Sequence, residues 1–264
     1  MKIALGVSYQ GTVYHGWQAQ AGLRTVQSTL EEAVAKVADQ TVSLVCAGRT
    51  DKGVHALGQV VHFDATAKRS QSAWLLGINS YLPEDIRIDW VQQELADHFH
   101  ARFSAVARRY CYVIYNRPLA SALWNEHTTH CYWPLNETRM QGAANYLVGE
   151  HDFSAFRAVD CQSNSAVRYI HELKVTRYQD YIVIDVKANA FLHHMVRNIV
   201  GLLMIIGSGK QEMIWAKEVL LLKDRSKAAV TMKPNGLYLL EVFYPESFAV
   251  PKIKNPFLWW LYGD

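Results

Sequence analysis

The sequence predicts an α+β protein built from two halves that share a sheet. Short runs with alternating apolar residues are interleaved with stretches of helical spacing. Over the first ~95 residues these come in the order strand–helix–strand–strand–helix–strand, which is that of a split βαβ unit. The order of elements roughly recurs in the rest of the chain, although no internal sequence repeat is visible. The domain expectation is an N-terminal α+β half over residues 1–105 and a C-terminal α+β half over residues 106–264.

Each element has its own warrant. Ile3, Leu5, Val7 and Tyr9 alternate as a strand. A loop with Tyr14, His15, Gly16, Trp17 and Arg24 follows, and Thr25 has the character of an N-cap. Val26, Leu30, Ala33, Val34 and Val37 then share one helix face. Val42, Leu44 and Cys46 predict a strand, and Val60, Val61 and Phe63 another. Trp74, Leu75, Ile78 and Leu82 mark a helix ending before Pro83, and Ile86, Ile88 and Trp90 a strand. Asp97–Ala105 crosses between the halves. Arg108–Tyr115 is apolar at both alternating sets, as in a strand covered on both faces. Residues 116–134 read as irregular. Asn136 caps a helix through Leu147, with Gly149 as its stop. A polar loop over 157–166 leads to strands over about 168–177 and 181–188, turned at Gln179-Asp180. Helices over Leu192–Ile206 and 212–223 and a strand over Gly236–Tyr244 complete the pattern. The aromatic tail, Pro256–Tyr262, is read as packing across a subunit or domain face.

Composition narrows the function. Half of the 264 residues are hydrophobic and 19% are charged, as in a globular protein with a sizeable core. No signal-peptide pattern and no apolar run of ~18 residues is present, so neither export nor a membrane span is expected, and the location expected is cytoplasmic. Four cysteines without a C-x-x-C pair fit reduced thiols rather than a zinc or dithiol motif. Residues 1–105 hold nine Lys/Arg against ten Asp/Glu, whereas residues 106–264 hold eighteen against fourteen. The surplus of positive charge in the second half points weakly to a polyanionic partner.

The stretch richest in chemistry is Cys46–Phe63. Between its two strands lies a connection of about a dozen residues, longer than the ~2–5 of an ordinary hairpin loop. Gly48, Gly53 and Gly58 punctuate it, and Arg49, Thr50 and Asp51 sit between the first two. A cation, a hydroxyl and a carboxylate on an ordered loop can form a catalytic platform; a lone Asp capping a turn is the plainer alternative. Tyr14, His15, Trp17, Arg24, Arg157, Arg168 and Lys187 are candidates for phosphate contacts and base stacking. His193 and His194 are adjacent, a spacing that on a helix does not share one ligand sphere easily, so structural or RNA-contacting roles are favoured over a metal. Arg197 lies among Val196, Ile199 and Val200, so its stem is expected to be buried, and a buried guanidinium needs an anionic partner. Asp51 is the partner chosen. The ion pair would lower the Asp51 pKa by roughly 1–3 units. Tyr110 is either a core tyrosine with its hydroxyl satisfied or a functional one that stacks on a base or works on a ribose proton.

Gly48-Arg49-Thr50-Asp51-Lys52-Gly53-Val54-His55-Ala56 resembles the G-R-T-D-x-G-V-H-A signature of the TruA family of tRNA pseudouridine synthases. Gly16-Trp17-Gln18, His100-Ala101-Arg102-Phe103, Ala107-Arg108-Arg109-Tyr110, His151-Asp152-Phe153, Asn189 to Arg197 and Gly236-Leu237-Tyr238 match in order, so the resemblance spans about residues 3–245. It implies two ferredoxin-like α+β halves around a central, mainly antiparallel sheet with a catalytic cleft between them. It implies conversion of uridine to pseudouridine at positions 38, 39 and 40 of the tRNA anticodon stem–loop by a homodimer. Asp51 would be the nucleophile, Arg197 its ion-pair partner, Tyr110 the stacking or basic tyrosine, and Arg49 the residue replacing the extruded nucleotide. Arg24, His55 and Arg168 are placed with the substrate contacts. The isomerisation gains and loses no atoms or electrons, so no cofactor and no metal is expected. Two rivals are a tRNA-binding chaperone of the same fold, which would not need Asp51, and a metal hydrolase using His193, His194 and Asp51.

Overall fold

The computed structural model describes residues 1–252 except 94 and 160. The aromatic tail expected to pack on a subunit or domain face lies outside the described residues. Among the described residues the chain forms two units, residues 1–106 with 238–252, and residues 107–237.

In the first unit, β1 (Lys2–Tyr9) is central between β3 (His55–Asp64) and β4 (Ile86–Gln92), antiparallel to both. β10 (Leu237–Phe243) returns late in the chain and lies parallel to β3, pairing Tyr238 with His55 and Leu239 with Ala56. β2 (Val45–Cys46) pairs farther along β3, at Val61 and His62. α1 (Val26–Ala38) starts at Thr25, whose hydroxyl accepts the Ser28 N–H, and it buries Val26, Leu30, Ala33, Val34 and Val37. α2 (Gln71–Tyr81) is capped in the same way by Ser70 and buries Trp74 and Ile78.

Two strand expectations are corrected. The strand expected over 42–46 shrinks to Val45–Cys46, because the Leu44 N–H donates to Glu31 Oε1 of α1 at 2.9 Å rather than to a neighbouring strand. The strand expected at 60–63 begins at His55. Gly58 lies against β10, where an added Cβ would fall 2.1 Å from the Leu240 carbonyl oxygen. That approach admits only glycine, so the glycine read as loop punctuation is a strand residue.

In the second unit, β5 (Ala107–Asn116), β9 (Tyr181–Ala188), β8 (Val167–Tyr178) and β7 (Gly149–Asp152) pair in that order, all antiparallel. β6 (Thr129–Cys131) lies parallel to β5 inside the stretch expected to be irregular. Tyr112 explains the docking there: its buried hydroxyl meets Thr129 Oγ1 at 2.5 Å and donates to the Lys233 carbonyl at 2.7 Å. α3 (Glu137–Ala144) is capped by Asn136 as expected. It gives way to a tighter turn over Asn145–Leu147, and Gly149, at φ 101°, opens β7 rather than ending the helix. α4 (Met195–Gly207) buries Met195, Ile199, Val200, Leu203 and Ile206, the face read from the spacing, and α5 (Trp215–Leu222) buries Ala216, Val219 and Leu220.

His62 of β3 is buried, with Nδ1 accepting the Ala101 N–H at 3.1 Å. Burial, then the charges of His100 and Lys2, push its pKa from 6.5 down to about 4. The unfolded chain therefore takes up the proton first, so this histidine's stabilising contribution is present above pH 6.5 and lost as pH falls toward 4. The melting temperature should fall over that interval. His62→Gln should flatten the fall, and an unchanged slope would show that His62 is not its source.

Candidate active site

Asp51 stands on residues 47–54, the span between β2 and β3, and its carboxylate is half-buried. Many of the bonds holding this loop come from backbone. Ala47 N–H donates to the Val60 carbonyl at 2.8 Å, and Gln59 Nε2 donates to the Gly48 carbonyl at 2.6 Å. Val54 N–H closes a turn onto the Asp51 carbonyl at 3.1 Å, with Gly53 at φ 79°. The loop before α1 braces the far side: Trp17 N–H donates to the Thr50 carbonyl at 2.9 Å. Gly16, at φ 84°, lies so close that a Cβ would meet the same carbonyl oxygen at 2.8 Å. Gly11 lies under Val54, where a Cβ would come within 1.9 Å of its carbonyl oxygen. Side chains add to this, since the buried Thr50 hydroxyl meets the Tyr9 hydroxyl at 2.7 Å. The residues on either side of Asp51 are thus fixed before any ligand arrives, the condition for a positioned carboxylate. Nothing in the residue order marks Gly11 and Gly16 as supports of the site. The run of close backbone approaches that would have identified them is invisible in a linear sequence.

The neighbours fall into two groups. Arg49 and Lys52 are exposed, and Lys52 Nζ lies 3.3 Å from His15 Nε2. His55 is inward-facing, 2% exposed, with Nδ1 accepting the Gly11 N–H at 3.2 Å and its ring stacked on Tyr238 at 4.7 Å. Tyr14 and Trp17, read as candidates for base stacking, are core residues instead. Tyr14 donates its hydroxyl to Asp85 at 2.6 Å, and burial together with that bond pushes its pKa up to about 12. Arg24 joins this pair, donating to Tyr14 at 3.0 Å and to Asp85 at 3.4 Å, with its guanidinium 4.7 Å from the Tyr14 ring centre. Its side chain remains 52% exposed.

The second unit carries the other sequence-derived residues. Tyr110, on β5 opposite Val186, is 8% exposed and meets Phe191 edge-on at 5.0 Å. Arg197 lies in the first turn of α4, half-buried, and its Nε donates to the Met232 carbonyl at 2.7 Å. Arg168 donates to the carbonyls of Ser165 (2.9 Å) and Val167 (2.6 Å) and to Ser163 Oγ (2.6 Å), and burial lowers its pKa. His193 and His194 precede α4 rather than riding on it. His194 takes the left-handed conformation at φ 62°, and the two rings sit 4.0 Å apart. The expectation that helical geometry would splay them is therefore corrected.

Comparison with known proteins identifies the family. A family model described as tRNA pseudouridine synthase matches residues 6–104 and 143–245. Curated relatives include tRNA pseudouridine synthase A of Colwellia psychrerythraea, 54% identical over 254 residues (96% of this chain and 98% of that one). The enzyme of the same name from Histophilus somni is 56% identical over 256 residues (97% and 94%). A solved chain from an H/ACA RNP bound to a substrate RNA containing 2'-deoxyuridine covers 76% of this chain and 44% of its own, with a TM-score of 0.35 at 8% identity. The chain belongs to the tRNA pseudouridine synthase family.

Gly16→Ala should displace the Asp51 loop, since alanine meets both the left-handed backbone penalty, about 1–2 kcal/mol, and the Thr50 carbonyl. Denaturant unfolding should show at least that loss of stability. Wild-type stability would mean that the loop does not depend on this approach.

Proposed function

We propose that this protein isomerises uridine to pseudouridine at positions 38, 39 and 40 of the tRNA anticodon stem–loop, with Asp51 as nucleophile. Pseudouridine formation in tRNA is the activity named for its relatives, and they match nearly its whole length. The observation that supports the choice of Asp51 is its half-buried carboxylate on a loop braced by Trp17, Gly16 and Gln59.

The reaction breaks the N1–C1′ bond, turns the uracil and joins C5 to C1′. The hydrogen on C5 leaves as a proton, and N1 takes one up, so atoms and electrons balance within the nucleoside and water. A carboxylate serves by attacking C1′, by attacking C6, or by assisting elimination across C1′–C2′. The target base must first leave the stack at a cost of a few kcal/mol. The exposed Arg49, two residues before Asp51, is suited to fill the space it vacates. Tyr110 is assigned to the extruded base and Arg197 to the Asp51 carboxylate, which it would hold ionised. Arg24 contributes its exposed guanidinium to phosphates. His55 serves recognition through the strand end that it anchors. Arg168 bonds its own loop, so its part would be to shape the RNA-facing surface. The protein acts as a cytoplasmic homodimer in this reading, and no described helix is long and apolar enough to cross a membrane.

In tRNA carrying 5-tritiated uridine, the wild type should release tritium and Asp51→Asn should release none, while binding tRNA within about threefold of wild type. Release by the variant would refute the nucleophile, and no release by the wild type would favour a chaperone. Arg197→Met should lower kcat roughly a hundredfold or more, the scale of a mispositioned catalytic group, and depress the melting temperature. A normal rate and melting point would dissolve the Asp51–Arg197 pairing.

A further inference from the structure

The turn between β4 and β5 holds an exposed aromatic ring that the reaction leaves unused. Residues 100–104 close on themselves. Ser104 N–H donates to the His100 carbonyl, and His100 N–H donates to Ser104 Oγ, both at 2.9 Å. His100 Nδ1 accepts the N–H groups of Arg102 and Phe103, each at 3.2 Å. The base of the turn is locked by His62 Nδ1, which accepts the Ala101 N–H, and by the Tyr244 hydroxyl, which donates to the Ala101 carbonyl at 2.6 Å. Lys2 Nζ ties down the approach by donating to the carbonyls of Asp97 (2.7 Å) and Phe99 (2.9 Å).

On this base Phe103 stands 76% exposed. Burying such a ring would be favourable, and a loose loop would collapse to do so. The hydrogen-bonded turn holds it out instead. The His100 ring stacks on it at 4.4 Å with a 30° tilt, and the Arg102 guanidinium lies 5.5 Å from its centre. Burial and the Lys2 charge keep the His100 pKa below its ordinary value, so the imidazole is a neutral, flat partner near pH 7. Arg102 and, in the Asp51 loop, Arg49 are both exposed cations of the same unit. An aromatic face with a guanidinium at its side is how unpaired bases and their phosphates are held. The two cations speak against a purely apolar protein partner.

We infer that Phe103 stacks on an unpaired base of the RNA substrate and that Arg102 contacts the adjoining phosphate. The inference rests on the reading of the substrate as tRNA. The test measures the Kd of an unmodified tRNA transcript and the kcat for wild type, Phe103→Ala, Phe103→Leu, Phe103→Trp and Arg102→Ala. The Ala and Leu variants should bind roughly tenfold or more weakly, the size of one lost base–aromatic stack, and Trp should restore binding to within about threefold. The loss should appear in Kd more than in kcat at saturating tRNA, the pattern of a group that binds the RNA without acting in the transition state. Arg102→Ala should reduce the slope of log K against log salt by about one. Wild-type affinity in Phe103→Ala overturns the inference, and so does Leu binding as tightly as Phe, which would make the contact apolar rather than stacked. The two readings separate cleanly. Absence of tritium release by the wild type defeats the functional reading alone, whereas tritium release with no change in Kd across the Phe103 variants defeats this inference alone.

Discussion

The Trp17 N–H reaches the Thr50 carbonyl at 2.9 Å, and the first unit is arranged so that this bond can form. It requires the loop before α1 to lie flush against the loop before β3. That contact is possible because Gly16 and Gly11 present no Cβ to the opposing carbonyls of Thr50 and Val54. The Thr25 cap starts α1 at the right point, and the Val26 N–H donates back to the Gly16 carbonyl at 3.2 Å. The helix start, the glycine loop and the Asp51 loop are therefore one hydrogen-bonded assembly. A carboxylate proposed to act on a nucleoside gains from this, because little ordering is left to be done when substrate binds.

The same economy governs the basic residues of each unit. Arg49 is left in solvent, whereas Arg24 is partly neutralised by Asp85 and leans on Tyr14. Arg168 is drawn into its own loop. Charge alone does not tell these apart, since each is one arginine in a polar stretch. What separates them is whether a local acceptor satisfies the guanidinium before RNA arrives. A guanidinium already bonded to carbonyls shapes a surface, while one in water is free to trade hydration for phosphate.

Much of the fold was legible because it depends on local rules. The spacing of α1, α2 and α4, the Thr25 and Asn136 caps, and the alternation of β1, β4 and β10 follow from helical and strand periods. Several of the errors share one cause, competition from residues elsewhere in the chain. Glu31 takes the Leu44 N–H and shortens β2. β10, from the far end of the chain, packs on Gly58 and helps to make strand of what reads as loop. Tyr112 reaches Thr129 and Lys233 and organises a stretch with no periodicity of its own. Tyr14 and Trp17 look like surface aromatics until the sheet behind them is in place.

The candidate site divides along the same line. Residue order alone identified the loop, its acidic residue and the family, because a nine-residue string with further matches in order is a one-dimensional signal. The sequence also carried the helix faces and caps, which are set within a few residues of chain. Only the folded structure decided that His55 turns inward, that His193 and His194 come before their helix, that Gly11 and Gly16 prop up the Asp51 loop, and that Phe103 is held out in water. Those outcomes turn on close approaches between segments far apart in sequence, where the nearest atom, and not the neighbouring residue, determines what a side chain can do.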